Sequence, residues 1–175
     1  LEEIKEMLVF EDNKSFPIFV MEKSTVNRVV DKSITKDGIH MIIGIQMDHV
    51  LQMMLRDKIL QKLGDVWELP LKNDWASVLD EGISKGVTNW QLYGSQKPGN
   101  EAYKLSYFVV AELDTADNEF MTTPKSIKEF DLSKDLCLLS AQYDKHIRFE
   151  ISPKIMDEYS NRLANRSKVK RTPSK

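Results

Sequence analysis

Two short apolar runs constrain the fold of this chain more than any other feature. Phe16–Glu22 and Gly38–Ile45 are dominated by β-branched, aromatic and other apolar side chains, and each predicts a short buried strand. Pro17 lies near the start of the first run, where its missing amide does least harm to a strand. The chain is therefore expected to build a sheet.

A helix is predicted directly after the second strand. Asp48 is a suitable N-cap for a helix that runs to Leu63, and Gly64 is expected to end it. The predicted apolar stripe of this helix is formed by Leu51, Leu55 and Ile59.

The rest of the chain predicts shorter elements. Leu1–Phe10 is interpreted as the end of a helix, whereas residues 74–83 fit either a short helix capped by Asp74 or a strand entered at Ser77. Further predicted elements are strands at Asn89–Tyr93 and Tyr103–Ala111, a short helix near Pro124, an apolar piece at Leu136–Ala141 and a final helix at Ser152–Leu163. This order predicts an α+β fold with mainly antiparallel sheets flanked by helices.

Composition places the chain among globular proteins. Its 175 residues are 41% apolar and 30% charged, and no apolar run approaches the ~20 residues that a membrane helix needs. Cys137 is the single cysteine, so an internal disulfide is excluded, and its apolar neighbours predict a small core residue. No membrane partner is expected.

The two ends suggest a piece of a longer protein. The chain begins at Leu1 inside an amphipathic segment, and residues 166–175 carry five positive charges and no negative one. Removing these five charges from the net −2 leaves −7 for residues 1–165, so contact with a nucleic acid would need a local basic patch. We predict one partial domain over 1–165 and a basic linker or tail over 166–175.

His40 is the first candidate site residue. Strand alternation places Ile39, Met41 and Ile43 on one face, and His40 with Ile42 on the other. Gly38 precedes this strand, and a glycine lets a ligand approach the backbone closely. The alternative is a histidine that is simply packed.

Asp80 and Glu81 are adjacent acids between apolar residues. An ionised carboxylate beside a core element is costly unless it is paired or bound to metal, and nucleotidyl transfer needs such carboxylates to hold Mg²⁺. The alternative is a helix end that points its acids into solvent.

The loop Gly94–Gly99 is the third candidate. It combines small residues with Lys97, so it is a candidate phosphate cradle of backbone amides and one ammonium group. Its spacing does not match a Walker loop.

These features, taken in order, resemble a known family. Gly38-Ile39-His40, then Asp80, then the run from Asn89 to Lys97 resembles the archaeo-eukaryotic primase superfamily over roughly residues 16–110. Within it, the chain is most similar to PrimPol-like enzymes and to the N-terminal primase domains of primase–helicases from nucleocytoplasmic large DNA viruses of the asfarvirus type. The resemblance implies an RRM-like catalytic core.

The resemblance also implies roles for individual residues. His40 and Asp80 would be catalytic, and Asp80 would bind metal in a two-ion Mg²⁺ or Mn²⁺ site. His40 and Lys97 would bind the nucleotide's phosphates, with Lys36 and Ser95 as helpers. Trp90, Tyr93 and Tyr103 could stack on bases, although their apolar bodies favour core packing.

Three departures from the family pattern stand out. Gly38 replaces a serine that many relatives have, and Gln91 replaces an arginine of PrimPol-like enzymes. The family's first motif, Asp-x-Asp or Asp-x-Glu, has no counterpart in residues 1–22, so we expect it, with the remaining metal carboxylates, upstream of Leu1. A chain without it is expected to be inactive alone.

The implied activity is primer synthesis in DNA replication, by template-directed nucleotidyl transfer. The expected partners are a single-stranded DNA template, nucleoside triphosphates and a superfamily-3 helicase domain that follows on the same chain. Viral factories in the host cytoplasm, or the nucleus, would be its location.

Two rival interpretations remain open from the residues. One is a non-catalytic module that binds single-stranded nucleic acid or nucleotides. The other is an interaction domain of a replication assembly, in which His40 and Lys97 have no ligand.

Overall fold

The computed structural model describes residues 1–87 and 90–169, with side chains as far as residue 166. The chain forms two compact units. Unit 1 consists of Leu1–Phe10, Met47–Asn89 and Arg148–Lys175, and unit 2 consists of Glu11–Gln46 and Trp90–Ile147.

The elements follow one another as a mixture of short helices and strands. In chain order they are α1 (Glu2–Met7), β1 (Leu8–Val9), β2 (Ser15–Glu22), β3 (Asn27–Val29), β4 (Ile34–Lys36), β5 (Ile39–Ile43), α2 (His49–Val66), α3 (Trp75–Val78), α4 (Gly82–Lys85), β6 (Lys104–Asp114), β7 (Glu119–Pro124), α5 (Leu132–Asp135), β8 (Glu150–Ile151) and α6 (Met156–Val169). Short 3₁₀ turns lie at Val30–Lys32, Ile127–Glu129, Leu136–Leu139 and Pro153–Ile155.

Unit 2 is built on a four-stranded antiparallel sheet in the order β5-β2-β6-β7. Strand alternation sends one face of the sheet into a core of four buried residues, Phe19, Met21, Ile42 and Leu139. In β5, Ile42 is 6% exposed, whereas Ile39 and Met41 on the opposite face are more than half exposed. His40 therefore lies on the core side of its strand, at the end of the sheet.

A two-stranded ribbon, β3–β4, joins β2 to β5. Its register pairs Asn27 with Lys36, so these two side chains lie side by side at the base of the ribbon. Ser33 follows the turn with a φ of 51°, a left-handed conformation that helps to reverse the chain.

Unit 1 is organised around α2. The carboxylate of Asp48 caps it and accepts hydrogen bonds from the backbone N–H groups of Val50 and Leu51, both at 2.9 Å. Helix α6 packs on α2, and Arg162 donates to Asp57 at 2.6 Å while the Tyr159 hydroxyl donates to Asp48 at 2.6 Å. A small antiparallel pair, β1–β8, also belongs to unit 1.

The predicted fold class is confirmed: the chain is α+β, with antiparallel sheets and flanking helices. The predicted strands at residues 16–22, 38–45 and 103–111 correspond to β2, β5 and β6. The N-cap of α2 and the final helix are also confirmed.

Several local predictions are wrong. Gly64 does not end α2, which continues to Val66. Its backbone lacks the positive φ with which a glycine terminates a helix. Asp74 caps helix α3, so the strand alternative fails. The first helix ends at Met7, β7 was not predicted, and Cys137 is exposed rather than buried.

The predicted strand at Asn89–Tyr93 is absent over its described residues, 90–93. The aromatic residues of this segment serve packing instead, because Trp90 and Tyr93 lie against the unit 2 core. The Tyr93 hydroxyl accepts the N–H of Leu105 at 3.2 Å, and the Gln91 side chain donates to the carbonyl of Ser95 at 2.6 Å. These side-chain hydrogen bonds, rather than strand pairing, stabilise this segment as a loop.

None of the helices in the described parts of the chain is long and apolar enough to cross a membrane. Helix α6 continues past residue 165 to Val169, and the division into residues 1–165 and 166–175 stays a prediction.

Candidate functional site

A cleft of about 220 Å³ opens at the His40 end of the unit 2 sheet. Its cationic lining comes from Lys23, Lys36 and Lys97, and the ring of His40 lies among them. The other lining side chains are Tyr103, Glu101 and the amides Asn27, Gln91 and Asn100. Three of the residues predicted to bind phosphate, His40, Lys36 and Lys97, thus share one cavity.

The fold explains how residues distant in sequence meet here. Antiparallel pairing places Met21 opposite His40 and Glu22 opposite Ile39, so Lys23 emerges at the end of the sheet beside Gly38. Lys36 is the last residue of β4. Lys97 comes from the loop that precedes β6.

Two aromatic rings fix the imidazole of His40. Tyr103 stacks on it with a centroid distance of 3.7 Å and an interplanar angle of 16°, and Trp90 lies 4.5 Å away, tilted by 43°. Both rings also pack against the unit 2 core. These contacts restrict the plane of the imidazole ring.

Gly38 makes this arrangement possible. A Cβ at position 38 would lie 2.6 Å from the Tyr103 hydroxyl oxygen, which is closer than real Cβ contacts. The close neighbour that this glycine admits is thus the hydroxyl of Tyr103, whose ring covers His40.

The electrostatics of the cleft favour an anion. Burial, followed by the nearby charges of Lys23 and Lys97, lowers the pKa of His40 below its usual value of 6.5, so its ring is neutral at pH 7. Three lysines against one glutamate leave two net positive charges. A neutral imidazole still offers one N–H donor, and the ammonium groups supply the charge.

Among the described residues, Glu101 forms no ion pair with these three lysines. Its carboxylate accepts the backbone N–H and the hydroxyl of Thr25, each at 3.0 Å. Within the described residues, Lys23, Lys36 and Lys97 form no ion pair. Their positive charge therefore remains available to a ligand.

Ser95 and Asp80 are not among the residues that line the cleft. Ser95 is not part of the cleft lining, and its hydroxyl donates to the carbonyl of Leu92 at 2.6 Å. Asp80 belongs to unit 1, where it is exposed between α3 and α4 and accepts the N–H of Gly82 at 2.8 Å. The neighbouring acid, Glu81, pairs with Arg56 at 3.9 Å and with Lys85.

Comparison with known proteins decides the family. The family model described as the C962R protein N-terminal AEP domain matches residues 1–109, more than half of the chain. AEP denotes archaeo-eukaryotic primase, and C962R is an asfarviral protein. This chain belongs to that archaeo-eukaryotic primase family. A search of curated proteins found no match.

Membership in the primase family supports a primase-type role in nucleotidyl transfer, within a viral replication protein. It also indicates binding of DNA and nucleotides. The resemblance predicted from the sequence is confirmed, and the matched range contains all five predicted site residues, His40, Asp80, Lys97, Lys36 and Ser95. Their individual roles stay predictions.

The described residues of this primase domain do not form a metal site by themselves. In residues 1–87 and 90–169, no three His, Cys, Asp or Glu side chains come together as metal ligands. Asp80 contributes a single carboxylate, so its predicted role as a metal ligand would need carboxylates from other residues.

Sequence reasoning missed several residues of the primase cleft. Lys23 carries no motif signal, Asn100 was assigned no role although the family resemblance extends over it, and the part that Tyr103 plays at His40 depends on a stacking contact. The β2–β5 register would have revealed Lys23, because it puts the residue after Glu22 beside the one before Ile39. The preference of Trp90, Tyr93 and Tyr103 for core packing is confirmed.

Proposed function

We propose that the unit 2 cleft binds the triphosphate of an incoming nucleotide during primer synthesis. The observation that carries this proposal is the convergence of His40, Lys36 and Lys97 in one cleft with surplus positive charge. A triphosphate presents several phosphate oxygens, and ammonium groups and an oriented N–H suit such an anion. The primase family of the chain makes a nucleotide the natural ligand.

The reaction proposed for the complete protein is template-directed nucleotidyl transfer. The 3′-hydroxyl oxygen of the growing strand bonds to the α-phosphorus and its proton passes to solvent, while the bond from that phosphorus to the bridging oxygen breaks and pyrophosphate leaves with the electron pair of that bond. Lys97 and Lys36 would offset the negative charge of the triphosphate, and His40 would donate one hydrogen bond and orient it. None of the three needs to act as a general base.

The metal and the wider context are proposals of the same kind. Asp80 would bind one of two Mg²⁺ or Mn²⁺ ions only together with carboxylates from outside the described residues, so no step is assigned to a metal here. The family resemblance supports a single-stranded DNA template, a superfamily-3 helicase domain on the same chain, and a location in viral factories of the host cytoplasm or in the nucleus.

The test is binding of a fluorescent nucleoside triphosphate, with and without Mn²⁺. The 175-residue chain is compared with His40→Ala, Lys97→Ala and Asp80→Ala, each also placed in an N-terminally extended form of the protein that is assayed for primer synthesis. Lys128→Ala is the matched control, because Lys128 is an exposed lysine of unit 2 outside the cleft.

We expect His40→Ala and Lys97→Ala to weaken binding about ten-fold each, as the loss of a hydrogen bond to a charged group does. Lys128→Ala should leave it unchanged. Equal affinities for all variants would refute the cleft as the triphosphate site. Binding without primer synthesis in the extended form would favour the non-catalytic nucleotide-binding module instead.

A further inference from the structure

We propose that Lys23 is a further phosphate-binding residue of the cleft, held in place by Asn100 and Tyr103. This inference rests on the proposed function and deepens it. Lys23 belongs to none of the motifs that carry the family resemblance, and only the fold brings it to the cleft.

The position of Lys23 follows from the sheet. It is the first residue after β2, and the register of β2 with β5 carries it to the end of the sheet where His40 lies. Lys23, Lys36 and Lys97 line the same cavity but come from three separate segments of the chain. Three cations on three segments can surround an anion rather than meet it from one side.

Two contacts hold the Lys23 ammonium group. The nitrogen lies 3.5 Å from the side-chain oxygen of Asn100 and 5.3 Å from the centre of the Tyr103 ring. Both partners are neutral, so they orient the ammonium without cancelling its charge. Asn100 is itself held, because its oxygen also accepts from the Asn27 side chain at 3.3 Å.

No carboxylate among the described residues pairs with Lys23. Glu101 lines the cleft, but both of its oxygens are bound by Thr25. Lys23 is half-buried and its contacts among the described residues are with neutral partners, so an incoming phosphate would supply an anionic partner for its ammonium group. Lys23 is close enough to His40 for its charge to disfavour protonation of the imidazole.

The test separates this lysine from the rest of the site. Affinity of the 175-residue chain for a fluorescent nucleoside triphosphate is measured for wild type, Lys23→Met, Lys23→Arg and Lys97→Ala. Lys128→Met removes the same charge from an exposed position outside the cleft. Inorganic tripolyphosphate is used as a competitor, because it presents the phosphates without base or sugar. Thermal unfolding of each variant is recorded in parallel.

We expect Lys23→Met to weaken the nucleotide about ten-fold and tripolyphosphate by a similar factor, as the loss of a charge-assisted bond does. Arginine should restore most of the affinity, and Lys128→Met should behave as wild type. The melting temperature should not fall enough to unfold Lys23→Met at the assay temperature.

Three results would overturn the inference. If Lys97→Ala weakens binding but Lys23→Met matches Lys128→Met, Lys23 has no part in the site and the proposed function still stands. If arginine fails to restore affinity and both Lys23 variants lose stability, the role of Lys23 is structural. If the wild-type chain binds neither ligand, the inference and the proposed function fail together.

Discussion

Replacing Gly38 with alanine should disturb His40 through Tyr103. The new Cβ would lie 2.6 Å from the Tyr103 hydroxyl oxygen, whereas ordinary contacts begin near 3.4 Å, so the hydroxyl must retreat by about 0.8 Å. The backbone itself tolerates alanine, because Gly38 is not among the glycines with positive φ. The strain therefore falls on the ring that stacks on His40 at 3.7 Å.

The expected cost is that of overpacking, about 1–3 kcal/mol of the free energy of unfolding. Displacing the ring also exposes the imidazole, and because burial is the main cause of its low pKa, the pKa of His40 should rise towards 6.5. Both effects are measurable, by chemical denaturation and by an NMR pH titration of the His40 ring.

Tyr103→Phe supplies the decisive comparison. Without the hydroxyl, the nearest atom to the new Cβ is the ring carbon at 3.8 Å, an ordinary contact. Alanine at position 38 should then cost little, giving a coupling energy of about 1–2 kcal/mol in a double-mutant cycle. Gly64→Ala is the matched control, because its Cβ would meet nothing closer than 3.9 Å and helical alanine is favoured by about 0.5–1 kcal/mol.

Either of two results would refute the coupling of Gly38 to His40 through Tyr103. One is a Gly38→Ala protein with wild-type stability and an unchanged His40 pKa. The other is an equal cost of Gly38→Ala in the wild-type protein and in the Tyr103→Phe variant.

Three further predictions follow from the contacts described above. Lys23→Met should raise the pKa of His40 in the same NMR titration, because one of the repelling charges is removed; an unchanged pKa would place Lys23 away from the ring. Acid should destabilise the fold, because burial lowers the folded-state pKa values of His40 and His146 below the unfolded value of about 6.5. The stabilising contribution is therefore full above that pH and declines as the pH falls through the range between the unfolded and folded pKa values. Denaturation at pH 7.5 and 5.5 would detect this loss, and an equal free energy of unfolding at both pH values would contradict it. Asp48→Ala should cost about 1–2 kcal/mol in denaturation, since it removes the α2 cap and the Tyr159 hydrogen bond, and a loss below about 0.5 kcal/mol would contradict this.

Sequence patterns predicted elements wherever one periodicity dominated. β2 and β5 are apolar runs of strand length, and Asp48 caps α2 as predicted, although only Leu51 of the predicted stripe is buried. The prediction of a strand was wrong where hydrogen bonds from side chains hold the backbone in place of pairing with another strand. Residues 90–93 were predicted as part of a strand, yet Tyr93 bonds the backbone of Leu105 and no partner strand is present among the described residues.

The residues of the candidate site also divide into those that the sequence predicted and those that it could not. His40 and Lys97 were predicted because motif resemblance marks them, and the fold brings them to one cleft with Lys36. Lys23 could not be predicted, because its place depends on the register between two strands that are separated along the chain by the β3–β4 ribbon. Register is a tertiary property, set by which side chains the core accepts on each face.

The adjacent acids Asp80 and Glu81 show how structure narrows an assignment that sequence leaves open. Glu81 is held by two cations, Arg56 and Lys85, and Arg56 is itself anchored to the carbonyls of Leu79 and Ala76 at 2.8 and 2.9 Å. A carboxylate with such partners is already compensated and has the smaller need of a metal ion. Asp80 accepts one backbone N–H and forms no ion pair among the described residues, so it retains its charge for another ligand. Asp80 is exposed, as the alternative of acids that point into solvent expects, and its role as a metal ligand stays a prediction that rests on the family resemblance.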